Sequence, residues 1–171
     1  EQLPRLRYIT VAATGYDEVD VAAAGRRGIP VSNVPIYGTD SVAQYVISAV
    51  LHLWHNISEH DAAVKAGEWA RGPDWCFWKR PLIELAGKTM GIVGFGRIGR
   101  RVGELAHAFG MRVLAYGRSR GADPGYTPFA WSSIEDLFAV SDIVSLHCPL
   151  TADNRGFVNR QLLGRMRPSA V

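Results

Sequence analysis

The chain has 171 residues, of which 47% are hydrophobic and 20% charged, so it can bury a core and is not a disordered chain. Its net charge is only +3, and the 19 basic residues are scattered along the sequence, which argues against a nucleic-acid-binding tract. The two cysteines lie far apart and no apolar run is long enough to cross a membrane, so neither a disulfide framework, a metal site nor a membrane span is predicted. We therefore expect a cytoplasmic globular protein.

The first elements in chain order form a strand, a helix and a second strand. Residues 8–13 are rich in β-branched side chains and end at Thr14-Gly15, which predicts a buried strand followed by a tight turn. A helix over residues 17–27 and a strand over residues 29–34 follow. Units of this kind build parallel sheets.

A long helix comes next. Residues 39–41 offer N-cap side chains, and the apolar positions of residues 42–54 fall on two adjacent helical faces. This pattern predicts burial on more than one side, as in a helix between two domains or in a subunit interface. Residues 67–81 hold three tryptophans without clear periodicity and are interpreted as a connector with aromatic anchors.

The rest of the chain alternates regularly between strands and helices. Ser132 and Glu135 form a possible capping box at the start of one of these helices. The alternation predicts an α/β fold with a doubly wound parallel sheet. The predicted strands are residues 89–93, 112–116 and 142–147, and the predicted helices are residues 97–109, a short one from 132, and 159–166.

A glycine-rich turn joins the strand at 89–93 to the following helix. Gly94, Gly96 and Gly99 have the spacing of the dinucleotide-binding fingerprint, in the strand-to-helix context that the fingerprint requires. Gly94 permits the tight turn, Gly96 lets the backbone approach a pyrophosphate, and Gly99 lets the helix pack close to the strand. The alternative is that these glycines only shape a turn that binds no ligand.

The second half of the fingerprint is an acidic residue at the end of the next strand, and it is absent. That strand is followed by Gly117, Arg118, Ser119 and Arg120. A carboxylate there would bind the 2′-hydroxyl of NAD, whereas arginines can hold the 2′-phosphate of NADP. The sequence therefore predicts NADP(H) in preference to NAD(H), unless both arginines are only solvated surface charges.

Several motifs recur in a characteristic order and spacing along nearly the whole chain. They are residues 13–20, 28–33, 37–43, 85–94 and 146–151, together with the run 75–86. In these motifs the sequence resembles the D-isomer-specific 2-hydroxyacid dehydrogenase family, and in the run 75–86 its glycerate dehydrogenase and hydroxypyruvate reductase branch. The resemblance implies two domains. Residues 1–38 would be the end of the first segment of a flavodoxin-like substrate domain, and residues 39–171 the interdomain helix and first part of a Rossmann cofactor domain.

The resemblance also assigns roles to individual residues. Thr14 and Gly15 match the loop whose backbone amides meet the substrate carboxylate, and Thr14 also matches a position near the nicotinamide. Thr39 matches a position near the cofactor at the start of the interdomain helix.

Other matches lie along the expected cofactor site. Arg97 and Ile98 correspond to the pair whose backbone lies against the pyrophosphate. Cys148 and Pro149 correspond to the turn beside the adenosine. Without the resemblance, Cys148 would be interpreted as a small thiol packing a strand end.

The family's catalytic residues have no counterpart in this sequence. An Arg, a Glu and a His are expected after Val171, and we interpret the five histidines present as structural. No catalytic residue is therefore assigned, and the 171 residues are expected to be a fragment that is inactive alone.

The resemblance implies that the full-length parent is a homodimeric oxidoreductase. It would transfer hydride between NADP(H) and a small 2-keto or 2-hydroxy acid, either hydroxypyruvate and glycerate or glyoxylate and glycolate. A first alternative is a non-catalytic NADP(H)-binding regulatory module. A second is formate or phosphonate oxidation on the same scaffold, which the connector at residues 75–81 disfavours.

Overall fold

The computed structural model describes residues 3–171. The chain divides into two compact units, Glu1–Thr39 and Asp40–Val171, and each is described separately below. Within the described residues, no helix has both the length and the apolar character needed to cross a membrane.

The first unit contains two short parallel strands with a helix between them. Strand β1 (Ile9–Val11) pairs with β2 (Val31–Asn33), and Ile9 lies opposite Val31. Helix α1 (Val21–Arg26) begins later than predicted, because the Asp20 carboxylate accepts a hydrogen bond from the Ala23 amide at 2.8 Å and caps the helix there. The predicted strand–helix–strand order is confirmed, with shorter elements.

The second unit carries most of the regular structure. Helix α2 begins at the boundary between the two units, and the remaining elements alternate as the sequence indicates. The helices are α2 (Thr39–His55), α3 (Ile57–Lys65), α4 (Glu68–Arg71), α5 (Arg97–Ala108), α6 (Ile134–Val140) and α7 (Arg160–Leu163), and the strands are β3 (Thr89–Val93), β4 (Arg112–Tyr116), β5 (Phe129–Trp131) and β6 (Ile143–Leu146), with a 3-10 turn at Ala152–Asn154.

The four strands of this unit form one parallel sheet in the order β5-β4-β3-β6. The central strand β3 is buried along its whole length. At its carboxyl end, Val93 lies opposite Tyr116 of β4 and Leu146 of β6, so three strands end side by side. Strand β5 was not predicted, because three residues at a sheet edge give too short a pattern.

Hydrophobic cores lie on both faces of the sheet, which confirms the doubly wound α/β fold. Met90 and Ile92 of β3 belong to the core that also contains side chains from α2 and α5. Val93 and Leu114 belong to the second core, which contains Leu137 and other side chains from α6 and α7. Successive residues of a strand face opposite sides of a sheet, and the sequence of β3 serves both cores.

Helix α2 differs from its prediction at its first residue. Thr39 lies inside the first turn instead of capping it. One face packs into the core through Trp54, which is only 6% exposed, while Val42 is 40% exposed. The predicted burial of a second side against another domain or subunit is not tested by the described residues and stays a prediction.

The segment after α2 is more ordered than the predicted connector. Helix α3 and the single turn α4 were not predicted. The Lys79 amide donates a hydrogen bond to His60 Nε2 at 3.2 Å, and Trp69 Nε1 donates to the Trp75 carbonyl at 3.0 Å. These bonds fix the connector to α3 and α4.

The predicted capping box at Ser132 is wrong by one residue. Ser133 is the N-cap of α6, and its Oγ accepts a hydrogen bond from the Asp136 amide at 3.0 Å. Adjacent serines offer the same capping chemistry, so the sequence alone does not distinguish them.

Candidate functional site

A cleft of about 750 Å³ lies at the carboxyl ends of β3, β4 and β6. In open parallel sheets ligands bind at this edge. Its lining includes seven residues singled out from the sequence. They are Gly94, Gly96, Gly117, Arg118, Ser119, Cys148 and Pro149.

The turn after β3 depends on two close approaches. Gly94 has a φ of +94°, and a Cβ atom there would lie 2.6 Å from the Cys148 nitrogen. A Cβ atom on Gly99 would lie 2.2 Å from the Gly94 carbonyl oxygen. Glycine at these two positions therefore lets α5 pack against the turn and lets the turn pack against the end of β6.

Gly96 stands in a different environment. It is the N-cap of the 12-residue helix α5, no side chain caps the helix there, and a Cβ atom would meet nothing within 4 Å. The residue is exposed and lines the cleft. Open backbone at a helix N-terminus offers N–H groups and a favourable dipole to an anion, so this turn fits a pyrophosphate.

The residues after β4 form another part of the cleft. Gly117, Arg118 and Ser119 line it, whereas Arg120 does not. Both arginines are exposed, and neither forms an ion pair among residues 3–171. Arg118 is thus an unpaired cation in the cleft.

The loop after β6 is held by Asn154. Asn154 Nδ2 donates a hydrogen bond to the Pro149 carbonyl at 2.8 Å, and its Oδ1 accepts one from the Thr151 amide at 2.7 Å. The side chain also lies 3.9 Å from Cys148 Sγ. These contacts fix Cys148 and Pro149 at the cleft wall.

Of the histidines in residues 3–171, His147 is the one that lines the cleft. Its Nε2 is hydrogen-bonded to Ser145 Oγ at 2.8 Å, and burial lowers the pKa of its imidazole. No carboxylate among residues 3–171 is hydrogen-bonded to this ring, so within that range it lacks the partner that an acid–base histidine ordinarily has.

Other residues singled out from the sequence do not line the cleft. Arg97 and Ile98 lie in the first turn of α5, and Ile98 packs against the first core. Thr14 and Gly15 belong to the first unit, where the Thr14 carbonyl accepts a hydrogen bond from Asn33 Nδ2 at 2.8 Å. Thr39 begins α2.

Several lining residues were missed by sequence reasoning because they lie outside the glycine fingerprint. Glu135 comes from the first turn of α6, Asp153 from the 3-10 turn, and Arg165 follows α7. The order of the strands and helices is the feature of the sequence that could have identified these residues. Helices that precede or follow β6 on the second face of the sheet can reach the carboxyl edge of the strands.

The chain was compared with models of known protein families. Residues 47–171 match the model described as D-isomer specific 2-hydroxyacid dehydrogenase, NAD binding domain.

A curated relative and two solved structures are also similar. A hydroxypyruvate reductase from Blautia hydrogenotrophica is 43% identical over 171 residues, covering 100% of this chain and 53% of the relative. D-lactate dehydrogenase from Aquifex aeolicus, complexed with NAD and lactic acid, has a TM-score of 0.82 and 30% identity, covering 97% of this chain and 48% of that one. An acyclic imino acid reductase in complex with NADPH and D-Arg has a TM-score of 0.81 and 31% identity, covering 97% and 52%. The chain therefore spans about half the length of these relatives.

Proposed function

Because the chain belongs to the D-isomer specific 2-hydroxyacid dehydrogenase family, we propose that it forms the cofactor-binding part of an oxidoreductase. The reaction would transfer hydride between NADP(H) and a small 2-keto or 2-hydroxy acid. The observation that carries this proposal is the open turn at Gly96, where the cleft meets the N-terminus of α5. That geometry admits a pyrophosphate against backbone N–H groups.

The residues around the cleft fit the parts of a dinucleotide. Gly94, Gly96 and the first turn of α5 would hold the pyrophosphate, and Cys148 and Pro149 would lie beside the adenosine. When bound, the nicotinamide supplies or accepts the hydride. This chain's contribution is to bind and orient it.

The choice of NADP(H) over NAD(H) is supported by charge. Arg118 is exposed and lines the cleft without an ion-pair partner, and β4 is not followed directly by a carboxylate. An arginine bound to a phosphate makes a charge-assisted hydrogen bond worth about 1.5–3 kcal/mol. Since about 1.4 kcal/mol corresponds to a tenfold change in affinity, this contact would favour NADPH by about one order of magnitude or more.

The proposed substrates are hydroxypyruvate and glyoxylate, with glycerate and glycolate as the reduced products. Thr14 and Gly15 would meet the substrate carboxylate through backbone amides. The Arg that polarises the carbonyl and the Glu and His that manage the proton would be supplied by the parent protein outside these 171 residues. No observation favours the alternative of a regulatory module, and the relative named above is a reductase.

We also propose that the parent is a cytoplasmic homodimer that uses the outer side of α2. Tyr45 is 75% exposed, and Val42 and Leu53 are exposed on the same helix. Apolar side chains of this kind favour a self-complementary interface with a second copy. The free thiols of Cys76 and Cys148 support a reducing compartment.

A paired binding and turnover experiment tests the proposal. The protein is titrated with NADPH and with NADH, followed by the tryptophan and dinucleotide fluorescence, and is then assayed for NADPH oxidation with hydroxypyruvate. We expect saturable binding that favours NADPH, and no turnover by the 171 residues alone. Absence of binding to either dinucleotide would contradict the proposal.

A further inference from the structure

The cleft contains charged side chains of opposite sign that have no ion-pair partner. Arg118 follows β4, and Glu135 lies in the first turn of α6. Neither forms an ion pair among the described residues 3–171. Asp153 and Arg165 also line the cleft without an ion pair among these residues, so a dinucleotide that enters the cleft meets carboxylates as well as guanidiniums.

The position of Glu135 is fixed by the packing of α6. Leu137 and Phe138 are 0% and 2% exposed in the second core, and Ile134 packs against the same core. The helix lies against β3 and β4, so its first turn is held beside the carboxyl ends of those strands. Glu135 itself is exposed.

The capping of α6 does not account for this carboxylate. Ser133 is the N-cap, and its hydroxyl is hydrogen-bonded to both the amide and the carboxylate of Asp136. Asp136 also places negative charge in the first turn, where the helix dipole favours it. Glu135 takes no part in these bonds and faces the cleft instead.

A carboxylate beside the adenine ribose of a dinucleotide distinguishes the two cofactors, because they differ only at the 2′ position of that ribose. It accepts hydrogen bonds from the ribose hydroxyls of NAD and repels the 2′-phosphate of NADP. We propose that Glu135 is a specificity-determining residue that opposes Arg118 and limits the preference of this site for NADP(H). The inference rests on the proposed function, because it requires that the cleft binds a dinucleotide.

The test compares dissociation constants for NADPH and NADH in the wild-type protein and in Glu135→Gln. Removal of one negative charge near a phosphate should raise the preference for NADPH by about threefold to tenfold, and Glu135→Lys should raise it further. Glu84→Gln is the matched control, because Glu84 is an exposed carboxylate that does not line the cleft. It should leave the preference unchanged. Thermal unfolding of each variant verifies that the fold is retained.

The outcomes separate the two claims. A raised NADPH preference in Glu135→Gln but not in Glu84→Gln supports the inference. An unchanged preference in both variants, with both dinucleotides still bound, overturns the role of Glu135 and leaves the proposed function intact. If the wild-type protein binds neither dinucleotide, the proposed function and this inference are both wrong.

Discussion

Gly99 packs so closely against Gly94 that a Cβ atom at position 99 would lie 2.2 Å from the Gly94 carbonyl oxygen. Gly96, between them in the same turn, has open space where a Cβ atom would be. The three glycines of the fingerprint are therefore not equivalent. Gly94 and Gly99 are required by the protein's own packing, whereas Gly96 leaves room that the folded chain does not use.

This difference predicts opposite effects of two alanine substitutions. Gly99→Ala should destabilise the fold by about 1–3 kcal/mol, because the backbone oxygen cannot move aside without shifting the turn. Gly96→Ala, at a φ of −82°, meets no clash and should cost at most about 1 kcal/mol, because alanine is a poorer N-cap than glycine, but it should weaken NADPH binding about tenfold or more. Urea denaturation and dinucleotide titration of both variants check this. Equal losses of stability in the two variants would contradict it.

The two arginines after β4 should also differ, since Arg118 lines the cleft and Arg120 does not. Arg118→Gln should weaken NADPH binding by about tenfold and leave NADH binding nearly unchanged, because only the 2′-phosphate loses a charge-assisted contact. Arg120→Gln is the matched control and should have little effect on either. A larger effect of the Arg120 substitution on NADPH binding would show that Arg120, and not Arg118, contacts the phosphate.

Tyr126 should contribute to stability in a way that depends on alkaline pH. Its hydroxyl is buried without a hydrogen-bond partner among the described residues, and burial, assisted by Glu104 and opposed by Arg100, raises its pKa to about 12. An unfolded tyrosine has a pKa of about 10, so the folded state holds the proton more tightly. The contribution is fully present below pH about 10 and is lost as the pH rises towards about 12.

The measurement is the free energy of unfolding at several alkaline pH values, in the wild-type protein and in Tyr126→Phe. The wild-type protein should lose on the order of 1 kcal/mol more than the variant over that interval, after allowance for partial exposure. Phenylalanine keeps the ring that stacks on His107 at a centroid distance of 4.6 Å, so packing is matched. Identical pH profiles would show that Tyr126 does not titrate as expected.

His147 should have the opposite pH dependence. Burial lowers the pKa of its imidazole, so the unfolded state binds a proton more readily than the folded state. The contribution of His147 to the free energy of unfolding is therefore fully present above the unfolded-state pKa of about 6.5. It is lost as the pH falls through the lower pKa of the folded state. His147→Gln should reduce the loss of unfolding free energy between neutral and mildly acidic pH. If the free energy of unfolding falls as steeply with pH in the variant as in the wild-type protein, His147 is not the source of that fall.

Much of the sheet was predictable from the sequence because β3, β4 and β6 are continuous apolar runs bounded by turns. The glycine fingerprint predicted where the cleft would lie, because it marks the turn at the carboxyl end of β3. Strand β5 and helix α4 were not predictable, since elements of three and four residues carry too little periodicity. The N-cap of α6 was misplaced by one residue because two serines are adjacent there.

The cleft lining shows a second limit. Arg118 follows directly from the end of β4, so the sequence placed it at the carboxyl edge. Glu135 and Arg165 reach the same cleft from α6 and from the turn after α7, and no local motif marks them. Their placement depends on how these helices pack on the second core, which is a tertiary property.

Backbone amide NMR of the isotope-labelled protein during titration with NADPH shows whether the dinucleotide binds in the cleft, because it reports the residues whose environment changes. We expect saturable shifts that are largest at residues after all three strand ends, namely Gly96, Gly117 and Cys148, with no comparable change at Val64 on α3. Shifts confined to residues outside the cleft, or no shift at millimolar NADPH, would contradict binding in the cleft.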